Sequence, residues 1–205
     1  MEYLHLVVKL IITQITVNYL RTIIFNNKEN KMGTKVLLSG EPRIGKTTIL
    51  KKIIQMIGEC NCIGFYTEEV KNDFDRIGFD CVSLDGKRQR IADVDMPSDV
   101  RIGRYGINIK AFEDFALQTI SNYSNRNKII IIDEIGPIQL LSTKFKQQIC
   151  NILSSTNCVI GTIFYEKHPD IDEIKKLPGI EIYSINNENR NTVLEDIFHE
   201  IQGLI

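Results

Sequence analysis

The chain has 205 residues, with 25 Lys/Arg against 26 Asp/Glu, a formal charge of −1 and 43% hydrophobic residues. That length suits one domain with enough apolar side chains for a core, and the composition excludes an intrinsically disordered chain. The near-neutral charge excludes broad electrostatic binding to nucleic acid, so no nucleic-acid partner is expected. Five scattered cysteines (Cys60, Cys62, Cys81, Cys150, Cys158) offer no second pair at zinc-ligand spacing and read as reduced core residues of a cytoplasmic protein.

Residues 1–31 read as an N-terminal extension. Leu4, Val7, Val8, Ile11, Ile12 and Ile15 fall at helical spacing, which allows an amphipathic anchor or partner-binding helix. Lys9, Gln14, Asn18 and Arg21 interrupt the apolar run, so no stable membrane insertion is expected, and no small-residue cleavage site follows. We read Met32, directly before the first strand, as the start of a domain over 32–205.

Val36, Leu37 and Leu38 predict a buried strand, and the helix after it carries Ile49, Leu50, Ile53, Ile54 and Ile57 on one face before stopping at Gly58. A second strand is predicted over Cys62–Thr67. Arg76–Leu84 and Arg90–Val94 flank the turn signal Asp85-Gly86, a hairpin expected as an insertion on the main sheet. A short strand at Tyr105–Ile107 precedes a helix predicted over Ala111–Tyr123, with Phe112, Phe115, Ala116 and Ile120 inward. Four isoleucines in a row, Ile129–Ile132, indicate a strand buried on both faces, as in a parallel sheet. Ser142 caps a predicted helix carrying Phe145, Ile149, Ile152 and Leu153. A strand over Cys158–Ile163 follows, then a short helix opened by His168-Pro169-Asp170 and stopped by Pro178-Gly179. Glu181–Ser184 is the last predicted strand and Thr192–Leu204 the closing helix. Such alternation predicts a doubly wound, mostly parallel α/β sheet with ligands at the carboxyl ends of its strands.

The chemistry is concentrated at two of those ends. Gly40-Glu41-Pro42-Arg43-Ile44-Gly45-Lys46-Thr47-Thr48 carries the P-loop spacing between a strand and a helix. Its glycines let backbone amides turn toward phosphates at the positive end of the helix, Lys46 reaches the outer phosphates, and the Thr47 hydroxyl ligates Mg²⁺. The isoleucine strand ends in Asp133, the expected second Mg²⁺ ligand. Glu134, one residue further, suits a general base that deprotonates water, and Ile135 and Gly136 complete the nucleotide-binding candidates. Positive charge for the transferred phosphoryl group has arginine candidates in Arg43, Arg76, Arg104 and Arg190. Arg104 lies in the glycine-flanked turn Gly103–Gly106, and Arg190 follows the last strand. His168 and His199 are assigned no catalytic part.

Several segments together resemble the small nucleoside-triphosphatases of archaea and bacteria, which are related to the vertebrate cancer-related nucleoside triphosphatase. They are GEPRIGKTTIL at Gly40–Leu50, GFYTEEV at Gly64–Val70, RIGFD at Arg76–Asp80, GRYGINI at Gly103–Ile109, IIDEIGPIQLLS at Ile131–Ser142 and NENR at Asn187–Arg190. The resemblance implies a RecA-like P-loop NTPase sheet and Mg²⁺-dependent hydrolysis of nucleoside triphosphates such as ATP and GTP, with little base selectivity. By position it implies that Gly40–Thr47 wraps the phosphates and that Asp133 and Glu134 form the metal and water side. The chain departs from that family at Arg43, where a small residue is usual, and at Gln139, where a Glu is usual. Two other readings stand beside hydrolysis: a nucleotide or small-molecule kinase using the hairpin to hold an acceptor, and a nucleotide-gated binding module with slow turnover. Spacing leaves the oligomeric state open.

Overall fold

A computed structural model describes residues 33–121 and 128–201, with side chains as far as Phe198. The extension 1–31, the domain start at Met32, the predicted helix end at Tyr123 and the side chain of His199 lie outside those residues. In chain order the elements are β1 (Lys35–Gly40), α1 (Lys46–Ile57), β2 (Cys62–Lys71), β3 (Arg76–Ser83), β4 (Arg88–Asp93), β5 (Arg101–Ile102) and β6 (Tyr105–Ile107). They continue with α2 (Ile109–Ile120), β7 (Ile129–Ile135), α3 (Thr143–Leu153), β8 (Val159–Ile163), α4 (Pro169–Lys175), β9 (Ile180–Ile185) and α5 (Val193–Ile201).

The strands form one sheet in the order β5-β6-β4-β3-β2-β7-β8-β1-β9. Its heart is parallel, with Phe65 beside Ile132, Ile132 beside Gly161, Gly161 beside Leu37 and Leu37 beside Ile182. The strand that leads into the phosphate loop and the strand that carries Asp133 are therefore separated by β8. Helices cover both faces, as a buried parallel sheet requires. On β7, Ile130 and Ile132 join Phe65, Phe112 and Phe145 beneath α2, α3 and α4. Ile129 and Ile131 face the other way, into a cluster with Val36, Leu38, the apolar stripe of α1 and Val193 and Ile197 of α5. The two-residue period of a strand thus sends alternate isoleucines into opposite cores. Edge-on contacts tie the first core together, with Phe112 and Phe145 centroids 4.9 Å apart.

The hairpin continues the main sheet. The last β7 partner of β2 is Ile132, opposite Phe65, so Thr67–Lys71 project beyond the parallel core with one free edge. β3 pairs in antiparallel register along the opposite edge of β2, from Phe65 to Lys71, and β4, β6 and β5 extend it. This wing is held by Phe79, Tyr105 and Ile107 around Ala92. Other departures from the sequence expectation are local. Helix α2 begins at Ile109, because the Asn108 side chain accepts the Ala111 amide at 2.9 Å. Phe115 is only half-buried, and β4 starts at Arg88, once the turn closes by Gly86 N–H to Ser83 O at 2.9 Å. Cys62 and Cys81 are core residues, but Cys60 is exposed on a 3₁₀ turn, Glu59–Asn61, which corrects its reading as core. All five cysteines are unpaired. Among the described residues no helix is long and apolar enough to cross a membrane.

Candidate active site

The loop between β1 and α1 opens at the carboxyl edge of the parallel strands. Gly45 precedes the helix at φ 111°, a left-handed conformation that a side chain strains, and its missing side chain leaves the first-turn amides of α1 uncapped by the chain. Uncapped amides at the positive end of a twelve-residue helix form an anion site. Lys46 bends back over the loop, its Nζ donating to the carbonyls of Gly40 at 2.7 Å and Glu41 at 3.1 Å. Its ammonium therefore lies above the loop. Glu41, Pro42, Arg43 and Thr48 are exposed along this rim, whereas Ile44 packs against the α1 and α5 core. Arg43 holds φ 66°, a left-handed angle unusual for a residue other than glycine.

Asp133 is buried two residues before the end of β7, and a hydroxyl reaches each of its carboxylate oxygens. Thr47 donates to its Oδ2 at 2.7 Å, Thr162 of β8 donates to its Oδ1, and Thr67 of β2 donates to its carbonyl at 2.7 Å. Burial pushes its carboxyl above the ordinary range, while the two hydroxyls and the Lys46 charge pull it back toward ionisation. Glu134 is half-buried beside it. Burial raises its carboxyl as well, opposed by Lys46 and reinforced by Asp133. Among the described residues no cation stands within ion-pair distance of Glu134, and its carboxylate makes no hydrogen bond to them.

The remaining candidates divide. Ile135 is fully buried in the core, so it offers a ligand only backbone, and its carbonyl already accepts the Phe164 amide at 3.0 Å. Gly136 lies under Glu134. Arg104 belongs to the wing, pairing with Asp75 at 2.6 Å and donating to the Arg76 carbonyl, and the structure does not bring it to the loop. Arg190 is exposed in the turn after β9, whose last residue, Ile185, is the register partner of Gly40. It thus flanks the loop on the side opposite Asp133.

Sequence reasoning missed Thr67 and Thr162. Each lies on a strand neighbouring β7 just past the residues paired with Ile132, so strand register was the signal that would have found them. It also missed why two consecutive glutamates stand on β2. Glu68 takes Lys51 of α1 at 2.6 Å and Arg88 of β4, and the Lys51 hydrogen bond leads in holding its carboxyl below the usual range. Glu69 receives Arg76 at 2.6 Å, Lys71 at 3.2 Å and Arg43 at 3.7 Å. Burial opposes ionisation of Glu69, yet Arg76 and Lys71 keep its carboxyl low. The wing is thereby pinned to both the phosphate loop and its helix.

The donor set fits a magnesium ion. Thr47 Oγ1 and Asp133 Oδ2 are hard oxygens brought together by a 2.7 Å hydrogen bond, the kind of donor magnesium takes. Among the described residues no group of three or more His, Cys, Asp or Glu could hold a metal alone. Magnesium suits such a site, because it takes one or two protein oxygens and completes its shell with water and substrate phosphate.

Known proteins resemble this chain in sequence and fold. The sequence model of the NTPase family matches residues 35–198. The nucleoside-triphosphatase THEP1 of Thermotoga sp. strain RQ2 is 38% identical over 163 residues, covering 80% of this chain and 92% of the relative. The crystal structure of THEP1 from the hyperthermophile Aquifex aeolicus superposes with a TM-score of 0.75 at 37% identity, covering 82% of this chain and 98% of that one. The solution structure of a human cancer-related nucleoside triphosphatase gives 0.71 at 32% identity, with 83% and 98% covered. The fold is that of the P-loop NTPases, and the chain belongs to the NTPase family.

Proposed function

We propose that this chain hydrolyses nucleoside triphosphates to the diphosphate and phosphate with the help of Mg²⁺. The observation that carries the reading is Glu134: a half-buried carboxylate, one residue past the buried Asp133, with no hydrogen bond or ion pair to any described residue. A carboxylate so placed accepts a proton from water, the task of a general base. The water oxygen bonds to the γ-phosphorus, the bond to the bridging oxygen breaks, and the water proton passes to Glu134. Lys46 exchanges the Gly40 and Glu41 carbonyls for phosphate oxygens and offsets charge developing on the leaving side, while the α1 amides hold the phosphates in line. Thr47 and Asp133 would hold Mg²⁺, which would neutralise charge on the outer phosphate oxygens.

Low base selectivity is a reading that the turn beside Gly40 supports. The Asn189 side chain accepts the Asn186 amide at 2.9 Å and donates to Ser184 O at 2.8 Å, and Asn186 Oδ1 accepts two further amides. These amides are committed to their own turn, which leaves little to read base edges. The unpaired cysteines support a reducing, cytoplasmic setting. The test is to follow label from the γ-phosphate of ATP and GTP, with and without an added nucleoside or monophosphate. Recovery as free phosphate under both conditions supports hydrolysis, and recovery on the acceptor overturns it in favour of a kinase.

A further inference from the structure

After Asp133 and Glu134 the chain makes a tight return. Pro137 restricts the backbone, the Leu140 amide bonds to Gly136 O at 3.0 Å, and Gln139–Leu141 form a single 3₁₀ turn. The return brings the Gln139 side chain back over Gly136. It is only 4% exposed. Its amide makes no hydrogen bond to any described residue and keeps a small contact with solvent, since His168 Nδ1 is the one fully buried side-chain N or O without a partner among the described residues. The carboxylate of Glu134 shares that condition. Both side chains also point at one spot: a Cβ on Gly136 would lie 3.0 Å from Gln139 Oε1 and 3.2 Å from Glu134 Oε2. Two oxygen acceptors cannot satisfy each other. A donor with two protons satisfies both, and water is the smallest such group.

We propose that Gln139 positions the attacking water together with Glu134, the water donating one proton to Glu134 Oε2 and the other to Gln139 Oε1. Held by both protons, the water turns a lone pair outward to the γ-phosphorus, and the proton bound to Glu134 is the one transferred. Gly136 serves this pair through what it lacks, since a side chain there would fill the space between the two oxygens. The inference rests on Glu134 as the base, and its tests are arranged so that the two can fail separately.

Three variants and a transition-state mimic decide it, at mildly alkaline pH where carboxylates are ionised. Gln139→Leu keeps the volume but removes the acceptor, Gln139→Asn keeps the amide but withdraws it by one methylene, and Gln139→Glu keeps an acceptor at full reach. The expected result is a fall in kcat of about 10- to 100-fold for Leu and Asn, with KM changed by less than about threefold, and retention of most of kcat by Glu. Nucleotide diphosphate with aluminium fluoride, which captures the in-line water, should bind the Leu and Asn variants more weakly while the diphosphate alone binds normally. In a Glu134→Gln background the Gln139 changes should cost little more, because both groups act on one water. Should Gln139→Leu fail to fold, Gln139→Asn carries the test. Unchanged kcat in the folded variants, or parallel losses of kcat, diphosphate affinity and thermal stability, overturns the role of Gln139 and leaves Glu134 standing. Full activity of Glu134→Gln overturns both.

Discussion

Lys35 opens β1 at the edge of the sheet opposite the active site, and it is wholly buried. Its ammonium donates to the carbonyls of Gly33 at 2.9 Å, Ser155 at 3.0 Å and Asn157, tying the entry of β1 to the turn that links α3 to β8. Lys35→Met fills similar volume and takes away all three donations. Each carbonyl left unpaired in a buried site costs about 1–3 kcal/mol, and removing a buried charge returns several kcal/mol of desolvation. Ser155 lies partly in reach of water, so its carbonyl recovers a partner. The net expectation is a destabilisation of about 2–4 kcal/mol, a drop in Tm of roughly 4–16 °C for a domain of this size. Urea and thermal unfolding of the two proteins measure it. The pH dependence adds a sign. Burial pulls the Lys35 ammonium below its ordinary pKa, with Cys158 acting the other way. Between the folded and unfolded values the unfolded chain binds more protons, so this residue makes stability rise with pH through that window, and the Met variant lacks the rise. A Met variant as stable as the parent, within about 0.5 kcal/mol, would show that desolvation outweighs the three hydrogen bonds and refute the reasoning.

Arg43→Gly relieves a left-handed backbone worth about 1–2 kcal/mol and gives up only an exposed ion pair to Glu69. Thermal unfolding should show an unchanged or higher Tm, and a lower one would contradict this. Thr162→Val takes a donor from buried Asp133 while keeping its shape. Phosphate release titrated against Mg²⁺ should then need about 10-fold more metal, with the maximum rate approached at saturation. Alkylation of the native protein should label Cys60 first, since it is exposed, whereas burial pushes the Cys62 thiol up to about 12 and keeps it protonated. Mass spectrometry of partly labelled protein reads the order, and early labelling of Cys62 would contradict it.

What the sequence disclosed, it disclosed through local patterns. The phosphate loop is contiguous, with a required spacing, and the four isoleucines of β7 report double-sided burial in four letters. Asp133 follows directly on that run, although the strand, expected to end there, continues to Ile135. What stayed hidden depends on partners far along the chain. Lys35 reads as an ordinary charge at a strand start, and two of its three acceptors lie 120 and 122 residues away. Thr67 and Thr162 are unremarkable threonines until strand register places them against Asp133. The hairpin was legible as a hairpin from Asp85-Gly86, but its continuity with the main sheet follows from the length of β2, which no turn signal marks. Arg104 was legible only in part: its glycine-flanked turn suggested a ligand contact, and the pairing of its guanidinium with Asp75 and the Arg76 carbonyl, across the wing, is not marked in the sequence.

The measurement that bears most directly on the account is phosphate release from ATP, GTP, CTP and UTP with Mg²⁺, comparing the parent chain with Glu134→Gln. The account predicts release from all four by the parent. It predicts a loss of turnover of about 10²- to 10⁴-fold in the variant, with nucleotide binding retained. Unchanged turnover in the variant would remove Glu134 from the chemistry, and no release by the parent from any of the four would contradict hydrolysis itself.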